Sequence, residues 1–464
     1  MDGQVEAQLE TKSEGKANGR ADETKRARDL VQRVAQVLDE HRKKGNLLAQ
    51  IAWPREVEEG FFAASAGKLP EVTYTVDRDG LEAHLADLRR VSAFIEEAGG
   101  DGDDHVATWL RAVLASQADS DRLLLAVGTK AFSDLSKEIY GGATAPFYEG
   151  KTRNLDLAEH LLERLGTHGW DEATDKEEGL LSASEFAESL RGHIERMRPR
   201  MDVTVELEPK CTAKVLAGMK RIHIRPDATF ARWEAEGLFF HEVETHALTA
   251  QNGAAQPEAP FLASGGPRTT RTQEGLAVFA ELYNHTLTAA RLERLAVRVK
   301  LVAMAEDGAS FLDLYRYLIE RGSAPRDAYL DAQRICRGGL VSGGAPFTKD
   351  ASYLSGLVHV YAFLNAFIRG GFRDETELLV CGRIDLADLT ALIELRALGI
   401  LTRPKYRPRW LRNWGTLLPF FAFSSFIGGL DLKPIEQEYE AAIALAAKAG
   451  PPSPPSEPPV KPSA

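Results

Sequence analysis

The chain has 464 residues, 44% hydrophobic and 27% charged, a globular composition long enough to bury a large core. A formal net charge of −11 excludes nucleic acid as the main partner, because that partner selects a basic face. Three widely spaced cysteines, Cys211, Cys336 and Cys381, form no Cys-x-x-Cys site and suit a reducing, cytoplasmic compartment. The N-terminus carries no apolar secretory segment. The longest apolar run, Leu417 to Gly428, is shorter than the roughly 20 residues of a membrane span and reads as a buried helix, so no membrane partner is expected.

Residues 1–27 are polar and charged and are expected to be disordered. Residues 28–174 read as a mainly helical region. It opens on the stripe Leu30, Val31, Val34, Val37 and Leu38 and is broken at Trp53-Pro54-Arg55. Within it, Val72 to Val76 is β-branched and aromatic and predicts a short strand. Leu81 to Ala98 and Val106 to Ala115 are amphipathic, with the loop Gly99 to Asp103 between them. The texture changes at about residue 175, where a core of residues 175–400 begins. Leu181 to Met197 predicts a helix, and Met201 to Leu207 and Lys220 to Arg225 predict strands. A helix capped by Thr229 and ended by Asn252-Gly253 follows, then the loop Pro257 to Gly266. A second helix starts at a Thr270/Gln273 capping box and runs to about Glu306. Further helices are expected at Phe311 to Arg321, Asp327 to Cys336, Tyr353 to Ile368 and Ile384 to Leu398. Residues 401–448 make a C-terminal helical region, and 449–464 a Pro-rich tail expected to be disordered.

The first of the two core helices carries His241-Glu242-Val243-Glu244-Thr245-His246. Zinc peptidases place two histidines at i and i+4 on one helix face, with a glutamate as general base. Here the second histidine is at i+5, about 140° around a regular helix. One inserted residue, a π-bulge, brings the two rings together, and such bulges sit mostly at functional sites. A catalytic zinc site takes three protein ligands plus water. The candidate third ligand is Glu274, 28 residues after His246, with Gly275 beside it to let two helices approach closely. Glu281 lies on the same helix face as Glu274 and is a candidate second-layer partner; His285, four further on, is another. A di-iron carboxylate bundle would need Glu-x-x-His pairs, and neither Glu242 nor Glu244 has a histidine at i+3.

The His241–His246 spacing is similar to the expanded motif of the dipeptidyl peptidases III. Together with Gln273-Glu274-Gly275-Leu276-Ala277 it resembles the QEGLA-motif proteins of bacteria (DUF1704), relatives of the microtubule-associated tyrosine carboxypeptidases. Phe132-Ser133-Asp134-Leu135-Ser136, Ile224-Arg225-Pro226-Asp227, Arg337-Gly338-Gly339 and Phe347-Thr348-Lys349-Asp350 with Tyr353-Leu354 add to it, over roughly 132–426. Cys336 departs from the pattern, where an aromatic is expected. The resemblance implies a zincin-like metallopeptidase core, making the fold α+β and predominantly helical. A small sheet would lie beside the metal helices, and helical N- and C-terminal regions would flank the core. It implies one zinc ion on His241, His246 and Glu274, with Glu242 as catalytic base. It favours a carboxypeptidase acting on a peptide or protein C-terminus. Aminopeptidase, endopeptidase or catalytically silent regulator stay open. For a terminal carboxylate, Arg337 is the first candidate and Lys349 the second, and Tyr353 is placed to steady an oxyanion. An acidic chain suits an acidic tail such as tubulin's only if basic residues gather locally.

Overall fold

A computed structural model describes residues 2–40, 47–98, 104–147, 150–166, 179–209, 211, 214–431, 433–437 and 439–440. The chain divides into two compact units, Met1–Trp414 and Gly415–Ala464. The fold is α+β and predominantly helical. The expected boundary at 174/175, the loop at 99–103 and the Pro-rich tail lie outside the described residues.

The first helix, α1, spans Asp2–Glu40 and so starts well before the expected Arg28. Residues 2–27 contain no proline and many Ala, Glu, Lys, Arg and Gln, which are good helix formers. Its Leu30, Val31, Val34 and Val37 are buried against α3 (Arg78–Ala98) and α4 (His105–Leu125), which follow α2 (Arg55–Ala63). The segment 71–77 is not a strand. Its alternation is genuine: Val72, Tyr74 and Val76 face the core. With no ladder partner, it is tied down through the Tyr74 hydroxyl, which accepts from the Trp53 indole at 2.8 Å and the Gly338 amide at 2.7 Å.

Helices α5 (Lys130–Tyr140) and α6 (Asn154–Gly166) lead to two small sheets. β1 (Leu180–Ser182) pairs antiparallel with β5 (Thr229–Ala231). Between them lie α7 (Ala183–Arg196), opened by a Ser182/Glu185 capping box, and the sheet of β2 (Thr204–Leu207), β3 (Val215–Ala217) and β4 (Arg221–Ile224). β4 is central, parallel to β2 and antiparallel to β3. Thr229 therefore belongs to a strand, and the next helix starts from Ala231 with no side-chain cap.

That helix is continuous through three stretches: α8 (Arg232–Leu238), a π-helical stretch Phe239–Ala247, and α9 (Leu248–Ala254). Its end is locked rather than capped. Asn252 donates to the Val380 and Tyr406 carbonyls and accepts from the Tyr406 amide, and a Cβ on Gly253 would lie 2.3 Å from the Leu262 carbonyl. The expected second long helix is two: α10 (Thr270–Tyr283) and α11 (Ala289–Glu306). His285 sits at a positive φ of 59° between them, and Thr288 caps α11 afresh. The Thr270/Gln273 capping box does not form, because Gln273 turns inward and accepts from Thr249 at 2.8 Å.

The chain then runs through α12 (Phe311–Glu320), α13 (Pro325–Cys336), α14 (Ser352–Arg369) and α15 (Leu389–Ala397). Thr348–Arg369 is long and apolar enough to cross a bilayer, and exceeds in length the run Leu417 to Gly428 singled out in the sequence. Half of it is buried, and it packs on α10. In α16 (Trp414–Ile427), Leu417 and Phe421 are buried but Phe423 and Phe426 are about two-thirds exposed, so burial is one-sided.

Candidate metal centre

The i to i+5 spacing of the two motif histidines is matched by the backbone. The π-helical turn holds one more residue than an α turn, and it spans both of them. Their ring centroids lie 4.9 Å apart. From α10, Glu274 Oε2 lies 3.6 Å from His241 Nε2 and 3.5 Å from His246 Nε2. All three donor atoms fall within 4.8 Å of one another. Ligands about 2.0–2.1 Å from a tetrahedral ion sit about 3.3–3.4 Å apart, so these separations fit a single small cation.

Two of the three donors, His241 and Glu274, are held from behind. His241 Nδ1 is 2.6 Å from Glu281 Oε1, which turns Nε2 inward. Arg291 donates to both oxygens of Glu281, at 3.2 and 3.3 Å. Lys349 Nζ donates to Glu274 Oε1 at 2.8 Å, leaving Oε2 for the histidines. Burial opposes charge on the His241 ring, but Glu274 and Glu281 outweigh it and hold the pKa up at about 10. Burial likewise works against ionised Glu281, yet Arg291 and His241 bring it down to about 2. Glu274 is held well below the usual carboxylate range, with Lys349 overcoming its burial. A cation entering this site displaces the His241 proton, so its affinity rises with pH.

The two carboxylates of the motif part company. Glu242 is half-buried and, among the described residues, makes no hydrogen bond or ion pair. Glu244 is buried and accepts from the Arg409 amide at 2.9 Å, with Arg412 at 3.6 Å. β3 packs against the π-helical stretch. His223 lies in β4, on the face away from the buried Ile222 and Ile224, and His285 lies in the turn between α10 and α11.

The remaining predicted residues are partly brought in. Tyr353 is buried at the start of α14. Its hydroxyl accepts from Arg334 at 3.4 Å, and Lys349 Nζ lies 5.1 Å from its ring. Lys349 is committed to Glu274 and holds no spare charge for a ligand. Arg337 lies 5.8 Å over the Phe347 ring with its Nε unpartnered. Burial and the neighbouring Arg334 lower its pKa to about 10. Sequence reasoning missed Arg291 and Arg334. Arg334 pairs with the fully buried Asp350 at 2.6 Å. Neither stands at a telling spacing from its partner. Arg291, Arg294 and Arg298 share one face of α11, close to Arg334 and Arg337, but Arg291, Arg298 and Arg334 are paired with Glu281, Asp331 and Asp350, so this cluster carries little free positive charge.

No curated protein matches the sequence. The model of the microtubule-associated tyrosine carboxypeptidases matches residues 59–429, most of the chain, including every residue of the cluster above. The chain belongs to the microtubule-associated tyrosine carboxypeptidase family.

Proposed function

We propose that the protein is a zinc-dependent carboxypeptidase with a zincin-like core, acting on the C-terminus of a peptide or protein. The observation that carries this reading is the convergence of His241 and His246 Nε2 on Glu274 Oε2 across a π-helical turn. His241, His246 and Glu274 would hold one zinc ion. When bound, zinc supplies Lewis acidity, which lowers the pKa of a coordinated water and polarises a carbonyl. Glu242, with no partner of its own, takes the proton of the attacking water and delivers it to the leaving amine. Tyr353, its ring packed against Lys349 and its oxygen beside Arg334, donates its hydroxyl to the developing oxyanion. The three cysteines are buried and free, which suits a reducing compartment.

The full-length protein should carry one zinc ion by elemental analysis. It should cleave N-acetylated peptides and spare C-terminally amidated ones. An aminopeptidase would show the reverse pattern, an endopeptidase would cut both, and a silent scaffold would hold zinc and cut neither. Replacing Glu281 by Gln removes the charge that orients His241. Metal affinity should fall by about 10- to 100-fold in a competitive chelator titration. An unchanged affinity would remove Glu281 from the site.

A further inference from the structure

A cavity of about 460 Å³ is walled by residues of α4, α5, α10 and α14 and by the start of α6, and none of the three metal donors lines it. Its uncommitted polar groups are mostly acceptors. Asp119 accepts from the exposed Arg122 through Oδ1 at 2.9 Å, and its Oδ2 has no partner among the described residues. Glu138 is exposed and makes no hydrogen bond or ion pair among them. Tyr140 is 8% exposed and Asn154 2%, so both are built into the wall. The Tyr140 hydroxyl makes no hydrogen bond among the described residues, and burial keeps it protonated. Asn154 donates to the Ala351 carbonyl at 2.6 Å, and its Oδ1 is unpartnered. Buried polar atoms are nearly always paired, so two unpaired ones at one cavity point to an absent partner. Burial raises the Asp119 pKa and the Glu138 charge adds to it, against the pull of Arg122. Of the two arginines in the lining, Arg268 is committed to Asp388, and Arg271 is exposed and unpaired. Among the described residues only His241, His246 and Glu274 bring three His, Cys, Asp or Glu donors together, so the cavity is not a second site of that kind.

We propose that this cavity is a second binding site, for a small aliphatic primary amine whose ammonium is held by Asp119, Glu138, Tyr140 and Asn154. An ammonium brings three N–H donors and one positive charge. The two carboxylates match the charge, which a half-buried cation requires. The phenol and amide oxygens, fixed by burial, complete its hydrogen bonds. A neutral polyol would leave the charge of Glu138 unmatched, and an anion would face both carboxylates. The site rests on neither the metal nor the peptidase reading. It does border the turn that carries Lys349: Asn154 holds the last residue of Thr348–Ala351, and the Tyr140 ring lies 5.5 Å from that of Phe347, just before it.

Calorimetry on the full-length protein tests this with diaminobutane, butylamine and butanediol, the last an uncharged counterpart of the first. Both amines should bind and the diol should not. Glu138→Gln should weaken the amines by about tenfold, the scale of one lost charge-assisted hydrogen bond. Glu138 is exposed, so this variant keeps the fold. Tyr140→Phe should weaken them by about fivefold. Arg271→Gln should tighten them by about twofold, because it removes a like charge at the surface. Protein stripped of metal by a chelator should bind them as tightly as the loaded protein, which separates the cavity from an amine ligating zinc. No heat from either amine, a diol that binds as well as they do, or loss of binding with the metal would overturn the assignment. So would weaker binding in Arg271→Gln, the mark of an anion site, or an affinity indifferent to both Glu138→Gln and Tyr140→Phe.

Discussion

Replacing Glu242 with Gln should leave the metal in place and cut turnover by about 10³-fold, within the range for loss of a general base. The change is nearly isosteric, and it breaks no contact, because Glu242 makes no hydrogen bond or ion pair among the described residues. The donors His241 and Glu274 are held by Glu281, with Arg291 behind it, and by Lys349, none of which touches Glu242. Metal stoichiometry and kcat measured on one preparation check both halves. Activity within tenfold of the native protein would show that the base lies elsewhere. Glu244 is a poor substitute for that role. Its carboxylate is turned to the Arg409 amide and Arg412, and burial raises its pKa. The same comparison assigns the two glutamates: Glu244→Gln should keep kcat, because its work is to fasten the motif helix to the 409–412 segment.

The parts of this site that the sequence made legible are those written in local spacing. Two histidines five apart can share a face only if the helix takes in an extra residue, and the backbone does so over Phe239–Ala247. Glu274 and Glu281 at i and i+7 must lie on one face of a helix, and both reach His241. What stayed hidden depends on partners far away in the chain. The alternation of Val72 to Val76 records which side chains point inward but not whether a second strand is alongside, and none is. The stop at Tyr283 is set by His285 at positive φ and by the Thr288 cap, and an apolar stripe resuming after four residues masks it. Arg291 and Arg334 act through the carboxylates of Glu281 and Asp350, which tertiary packing brings to them, so no motif marks them. Cys336 is 2% exposed, and burial pushes its thiol up to about 12; the departure from an aromatic there falls inside the core.

The glycine beside the third donor separates a local reading from a tertiary one, and gives the largest expected loss of stability. Gly275 does permit close helix approach, but to α14 rather than to the motif helix. A Cβ at Gly275 would lie 2.1 Å from the Gly356 carbonyl carbon, and a Cβ at Gly356 would lie 2.2 Å from the Arg271 carbonyl oxygen. These are backbone atoms, so no side chain can swing aside, and α10 and α14 would have to separate. Gly275→Ala should cost about 3 kcal/mol, the upper part of the range for overpacking. The same separation strains the metal centre. Glu274 stands on α10, while its partner Lys349 lies in the 3-10 turn that feeds α14. Metal affinity should therefore fall by about tenfold or more, as for loss of a contact behind a ligand. Thermal unfolding and chelator competition read the two effects on one sample. Gly60→Ala is the control: it also sits inside a helix, has nothing within 4 Å of the added Cβ, and should gain up to about 1 kcal/mol. An alanine at 275 as well tolerated as one at 60 would mean that α10 and α14 do not meet backbone to backbone, and the placing of Glu274 by that contact would fall with it.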